Sequence, residues 1–154
     1  MKYKLLLFLF CTFFLVNCGF KVIDNNTIYK IVEVNTQGDK KTNYSLRNKL
    51  LANSNSESNR LVKINIITNK IRSIKEKNIN NQVTKYELKI NSEIEYSITP
   101  LNIKGKFNSN VSGFYDVASR HSETLNNEKI LINLLVKDLA NNILDNLTDV
   151  LNDS

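Results

Sequence analysis

Few side chains of this sequence are of a type that performs acid–base, nucleophilic or metal chemistry. The 154 residues include one histidine, His121, and two cysteines, Cys11 and Cys18. So small an inventory argues against a zinc site and against a cysteine–histidine nucleophile pair. Glu93 and Glu95 share their predicted strand face with lysines, which indicates cross-strand charge partners rather than an acid–base pair. We therefore expect no enzymatic activity, no cofactor and no metal ion.

The N-terminus has the layout of an exported protein. Lys2 and Lys4 precede an uncharged, mostly apolar run over residues 5–16. This run is too short to span a bilayer, which takes about 20 apolar residues, and a basic start before a short apolar run is typical of a secretory signal peptide. The segment Leu15-Val16-Asn17-Cys18 resembles the bacterial lipobox, in which a signal peptidase cuts before a lipid-modified cysteine.

Lipidation of Cys18 would divide the chain into a signal peptide, residues 1–17, and a mature protein, residues 18–154. A single acyl chain holds a protein at a membrane only marginally, but a bacterial lipoprotein has several, palmitate among them, so its anchor is effectively permanent. Gly19 stands where lipoproteins of the inner membrane typically have aspartate, which favours the outer membrane. Export disfavours nucleic acid as a partner, although the formal net charge is +6.

Hydrophobic periodicity divides the mature chain into strands and helices. Alternation of apolar and charged residues is clearest over residues 83–99, which predicts a strand with one buried face. Apolar residues recur at spacings of three and four over residues 127–151, which predicts a long amphipathic helix. The other predicted elements are a strand over 27–35, a short helix over 44–53 capped by Thr42 or Asn43, and strands over 60–75 and 103–118.

These elements follow one another in the order β-α-β-β-β-α. Because a helix with one apolar face can cover one face of a sheet, the order predicts an α+β fold. We expect a two-layer sandwich, in which a mostly antiparallel four-stranded sheet packs against two helices. Residues 18–154 would form a single domain, with residues 18–26 as a linker after the lipidated cysteine.

Basic residues cluster near the predicted turns. Lys75 and Lys77 lie at the hairpin before the third strand, Lys106 lies on the last strand, and Arg120 follows that strand. One interpretation is a contact with anionic lipid, whose phosphates would attract these cations. The other is that they are ordinary solubilising charges.

Several short motifs resemble the LptE family, the lipopolysaccharide-assembly lipoproteins of the outer membrane. No single motif is specific, but the order of elements and the lipobox together cover nearly the whole mature chain. The motifs are Cys18-Gly19-Phe20, Ser45-Leu46-Arg47-Asn48-Lys49-Leu50, Thr84-Lys85-Tyr86-Glu87-Leu88, Gly105-Lys106-Phe107, Phe114-Tyr115, Val117-Ala118 and Asn127-Glu128.

The resemblance implies a non-enzymatic protein that is anchored to the outer membrane on its periplasmic side. Proteins of this family plug an LptD-type β-barrel and help it to insert lipopolysaccharide into the outer leaflet. They bind lipopolysaccharide through basic residues, and Arg120 matches the family's basic position after the last strand. Lys77 lies near the family's other basic position, and Lys75 and Lys106 are further candidates. The alternatives are a stand-alone periplasmic lipid- or ligand-binding lipoprotein and an interaction module of another envelope complex.

Overall fold

Four strands and two helices make up the part of the chain that the computed structural model describes, residues 28–153. The predicted α+β class and the order β-α-β-β-β-α are confirmed. The predicted signal peptide, Cys18 and the linker lie outside the described residues. The elements are β1 (Lys30–Gln37), α1 (Lys40–Ala52), β2 (Leu61–Lys77), β3 (Val83–Thr99), β4 (Ile103–Asp116) and α2 (His121–Asn152).

The strands lie side by side in the order β1-β2-β3-β4. β1 and β2 are parallel, and the other two pairs are antiparallel. A parallel pair needs a crossover connection, and α1 provides it, whereas β2, β3 and β4 follow one another through hairpins. The sheet is therefore mostly antiparallel, as the sequence predicts.

One face of the sheet, which we call the covered face, packs against both helices. Its inward positions alternate along β2 and β3, as in Val62, Ile64, Leu88 and Ile90, which are all fully buried. Burial of each such side chain contributes roughly 1.5–3 kcal/mol. The opposite face, which we call the open face, has no helix on it among the described residues, and its side chains are mainly charged or amide-bearing.

The first helix begins earlier than its sequence predicts. Asp39, rather than Thr42 or Asn43, is the N-cap, and its carboxylate accepts a hydrogen bond of 2.9 Å from the Thr42 backbone N–H. Thr42 and Asn43 lie inside the helix and are buried, and the Asn43 side-chain oxygen accepts a bond of 2.7 Å from the Thr68 hydroxyl on β2. Asn43 is thus satisfied by a tertiary hydrogen bond, and Thr42 by a local one, because its hydroxyl donates to the Asp39 carboxylate at 2.6 Å.

The second helix also begins early, at His121 rather than at residue 127. Its first turn lacks the apolar spacing that predicts the rest, so local hydrogen bonds hold it. The Thr124 hydroxyl accepts from the Ala118 backbone N–H at 2.9 Å, and the Asn127 side chain donates to the Asp116 carbonyl at 3.1 Å. From Leu135 onward the helix buries its apolar face against the sheet and α1.

α2 approaches β4 closely at Gly113, where any larger residue would require the end of the Leu131 side chain to shift. A Cβ atom at this position would lie 2.7 Å from Cδ1 of Leu131, closer than nonbonded carbon atoms pack.

Neither described helix is long and apolar enough to cross a membrane.

Candidate functional site

The β2–β3 hairpin and the start of α2 lie at one end of the sheet, which we call the hairpin end. The Val117 backbone N–H donates to the Thr84 carbonyl at 2.9 Å, so the chain after β4 runs beside the start of β3. Lys75, Lys77 and Arg120 therefore all lie at this end, although 43 positions separate Lys77 from Arg120 in the sequence.

The two hairpin lysines are held by contacts that leave their charges unneutralised. The Lys75 ammonium lies 5.0 Å from the centroid of the Phe114 ring, a cation–π contact on the open face. The Lys77 ammonium donates to the side-chain oxygen of Asn81 at 2.9 Å. Among the described residues, neither lysine forms an ion pair with a carboxylate. Both charges are thus available to an anionic ligand.

Arg120 is the N-cap of α2, with an extended backbone and no capping hydrogen bond from its side chain. Its guanidinium lies 3.9 Å from the Glu123 carboxylate, and 80% of the arginine side chain is exposed. An exposed ion pair at this distance contributes little to stability, so the Arg120 guanidinium can leave Glu123 and bind another anion.

Lys106 lies away from the other three predicted residues. It pairs in register with Glu95, which pairs with Asn65 on β2. Lys75 is ten positions further along β2, a distance of roughly 33 Å. Lys106 instead lines an open-face hollow of about 580 Å³, where the Lys63–Glu33 ion pair of 3.0 Å balances part of the local charge.

The sequence did not predict a second cluster at the hairpin end, on the covered face. Tyr86 and Tyr115 stack with their ring centroids 5.5 Å apart, and the Arg72 guanidinium lies 4.9 Å from the centroid of the Tyr86 ring. The Glu128 carboxylate on α2 lies 3.9 Å from the same guanidinium. The signal in the sequence is an arginine at an inward position of an alternating strand, but its partners depend on the register of three strands.

The Tyr115 hydroxyl is the least satisfied polar group of this cluster. Burial raises the pKa of Tyr115, and the neighbouring hydroxyl raises the pKa of Arg72. The hydroxyl faces the guanidinium, but it has no partner in full hydrogen-bond geometry among residues 28–153. Arg72 and Tyr115 line a cleft of about 380 Å³ together with His121, Leu125 and Glu128.

The described residues contain no group of three or more histidine, cysteine, aspartate or glutamate side chains that could hold a metal ion. The hairpin end offers cations, tyrosine rings and hydroxyls, together with the Glu123 and Glu128 carboxylates and His121. Such groups bind and orient anionic or polar partners.

Comparison with known proteins adds information about the fold. No protein-family model matches the sequence, and no curated protein matches it. A candidate lipoprotein from Caulobacter crescentus CB15 has a similar structure, with a TM-score of 0.61 and 16% identity over 84% of this chain and 96% of that one. Rare lipoprotein B from Shewanella oneidensis gives a TM-score of 0.60 and 16% identity over 79% of this chain and 97% of that one.

Lipoprotein B from Nitrosomonas europaea gives a TM-score of 0.57 and 11% identity over 80% of this chain and 85% of that one. At such identities the similarity establishes a shared fold. In each case the matched region covers most of both chains, so the whole two-layer domain is compared rather than one motif. The described domain therefore has the fold of rare lipoprotein B, as the resemblance to LptE-like lipoproteins leads one to expect.

Proposed function

We propose that this protein is an outer-membrane lipoprotein that plugs an LptD-type β-barrel and assists it in assembling lipopolysaccharide into the outer leaflet. The observation that carries the proposal is the fold, which the chain shares with rare lipoprotein B, an LptE-like protein. The lipobox-like segment ending at Cys18 supports an anchor in the outer membrane on its periplasmic side. The role is non-enzymatic.

The distribution of polar groups supports a plug. From Leu135 onward the apolar face of α2 packs against the sheet and α1, so this part of the helix is not free to contact lipid, whereas Leu125, Ile130 and Leu134 in its first half are about half exposed. On the open face, Asn69, Asn91 and Asn110 form a row across three strands, and the rows on either side are polar on β3 and β4 but have the exposed Ile67 and Ile71 on β2. A mainly polar surface of this kind suits the interior of a barrel, which is itself polar.

The cations at the hairpin end support lipopolysaccharide as a ligand. Lys75 and Lys77 have no carboxylate partner in the described part of the chain, and Arg120 has only a loose one. Ammonium and guanidinium groups form strong charge-assisted hydrogen bonds with phosphate, so they would compete for lipid A phosphates that divalent ions otherwise bridge. Lys106 is the weakest member of the proposed set because of its distance from the other three.

One observation favours the alternative of a stand-alone ligand-binding lipoprotein. The cleft beside Arg72 contains a buried tyrosine hydroxyl without a full hydrogen-bond partner. Buried polar groups normally have a partner, so a bound ligand or an ordered water molecule would complete this one. A plug does not require such a cleft.

Affinity purification of the tagged lipoprotein from detergent-solubilised outer membranes separates the two functions. We expect a large β-barrel protein to co-purify in a near-stoichiometric amount, and we expect the lipoprotein to be degraded when that barrel is depleted. A stable, monomeric lipoprotein that purifies alone would overturn the plug and favour the stand-alone binder. A Cys18→Ser variant, which cannot be lipidated, should fractionate away from the outer membrane.

Lipopolysaccharide binding is tested separately with purified protein. We expect the triple substitution Lys75→Gln, Lys77→Gln and Arg120→Gln to weaken binding and to reduce its dependence on salt, because phosphate contacts are screened by ions. The matched control is the triple substitution Lys41→Gln, Arg47→Gln and Lys104→Gln, which removes three exposed cations outside the proposed set. Equal losses in both variants would show that net charge, rather than the hairpin end, governs binding.

A further inference from the structure

The apex of the β2–β3 hairpin presents one apolar side chain on a braced loop. Ile79 is fully exposed, at 101% of its reference area. The loop around it is held by backbone hydrogen bonds of 2.9 Å from Asn78 to Gln82 and from Asn81 to Asn78. The Asn78 side-chain oxygen also accepts from the backbone N–H groups of Asn80 and Gln82, at 3.0 and 2.9 Å.

This arrangement differs from an ordinary exposed apolar residue. Single apolar side chains on protein surfaces are common and need no explanation. Here, however, the loop is ordered by its own polar side chains, which hold the isoleucine outward instead of letting it fold back onto the sheet. The loop therefore keeps Ile79 away from every apolar neighbour in the described part of the chain.

Cations follow immediately below the apex. Lys85 is neutralised by Glu76 at 3.1 Å and by Asp116 at 3.8 Å. Lys75 and Lys77, by contrast, have no such partner, so the apex region has a net positive charge. An apolar tip above unpaired lysines is the pattern by which proteins contact the interface of an anionic membrane.

We propose that the hairpin apex inserts Ile79 into the headgroup region of an anionic phospholipid bilayer, with Lys75 and Lys77 against the lipid phosphates. Interfacial apolar groups lie roughly 5–10 Å into the boundary between headgroups and acyl chains. Lys77 is the last residue of β2 and precedes Ile79 by two positions, which span at most about 7 Å, so Lys77 reaches the phosphates when Ile79 is buried beneath them. The contact is with phospholipid of the bilayer and goes beyond the proposed function, in which the same two lysines bind lipid A phosphates, so the two anions compete for Lys75 and Lys77.

The absence of tryptophan from the sequence allows a direct test. The Ile79→Trp variant has a single indole, at the apex, and the fluorescence emission of this indole reports the polarity of its surroundings. The full lipoprotein is reconstituted into vesicles of phosphatidylcholine alone or with phosphatidylglycerol. The matched control is Tyr44→Trp, because Tyr44 is 70% exposed and lies on α1.

We expect the emission of Ile79→Trp to move to shorter wavelength on anionic vesicles and to be quenched by brominated acyl chains, while Tyr44→Trp stays unchanged. Adding Lys75→Gln and Lys77→Gln to Ile79→Trp should reduce the quenched fraction, since each lysine strengthens binding to an anionic surface by about fivefold. All variants should retain the parent's thermal unfolding, because the substituted side chains are exposed.

Two results would overturn the proposal. In the first, aqueous iodide quenches the fluorescence of Ile79→Trp as strongly as that of Tyr44→Trp on vesicles of every composition. In the second, the emission shifts only when the co-purifying barrel protein is added, which would make the apex a protein contact. Whether the barrel protein co-purifies with the Ile79→Ser variant is measured separately. Loss of the plug function and loss of the lipid contact are therefore distinguishable.

Discussion

The two ends of the sheet are built from the same strands but are packed differently. At the end where β1 and β2 begin, Tyr29 is fully buried and its hydroxyl donates to the Leu144 carbonyl at 3.1 Å. Burial there raises the pKa of Tyr29 to about 12. At the hairpin end, the inward positions of β2 carry Arg72 and Ile74, and more than half of the Ile74 side chain is exposed. The first end is fully packed, whereas the hairpin end presents charges and clefts.

A difference in length between helix and strand produces this contrast. α1 has 13 residues and β2 has 17. A helix rises about 1.5 Å per residue and a strand about 3.3 Å. β2 is therefore more than twice as long as α1, and the far part of the covered face has only the start of α2 over it. A sheet that extends beyond one of its two helices leaves room for a site without disturbing the core.

The largest expected effect on stability is at the first end. Ile143→Ala removes a fully buried side chain and should lower the free energy of unfolding by about 2–5 kcal/mol. The matched change Leu125→Ala at the hairpin end removes a side chain that is 51% exposed, and we expect a loss below about 1 kcal/mol. Denaturant unfolding measures both, and equal losses would contradict the division of the sheet into two ends.

An intermediate effect is expected at the cap of α1. Asp39→Ala should cost about 1 kcal/mol, which is typical for loss of an N-cap. Folding lowers the pKa of Asp39, chiefly through the hydrogen bond from the Thr42 hydroxyl, with a contribution from Lys70. The stabilisation is therefore complete above the carboxyl's unfolded pKa and is lost as the pH falls through its folded pKa.

Asp39→Asn provides the control for this prediction. Asparagine also caps helices well, so the variant should remain close to the parent at acidic pH. The difference between parent and variant should grow as the pH rises through the acidic range. A constant difference at all pH values would show that the charge of Asp39 does not contribute.

Sequence reasoning was most successful where geometry fixes the spacing of residues. Alternation along β3 correctly predicts that Leu88, Ile90, Ile94 and Ile98 are buried, because successive strand residues always point to opposite faces. The start of α1 was missed because the burial of Asn43 depends on Thr68, a residue that is distant in sequence. No local pattern contains that contact, whereas Asp39, three residues before Thr42, is a local capping signal for the helix start.

The candidate site also has one part that the sequence predicts and one part that it does not. The basic residues of the hairpin can be identified from the sequence alone, but the distance between Lys106 and Lys75 follows only from strand register. The cluster of Arg72, Tyr86 and Tyr115 requires three strands in register and a helix above them. Sequence periodicity predicts which face each residue occupies, whereas register decides which residues meet.

The smallest expected effect on stability is at that cluster. Tyr115→Phe removes a buried hydroxyl that lacks a full partner, and an unsatisfied buried group costs about 1–3 kcal/mol. We therefore expect the variant to be as stable as the parent or slightly more stable, by denaturant unfolding. Tyr86→Phe is the matched control, because it keeps the ring that stacks on Tyr115 and removes the neighbouring hydroxyl. A loss above about 1 kcal/mol for Tyr115→Phe alone would mean that the Arg72–Tyr115 hydrogen bond forms in solution, because only a satisfied hydroxyl stabilises the fold that contains it.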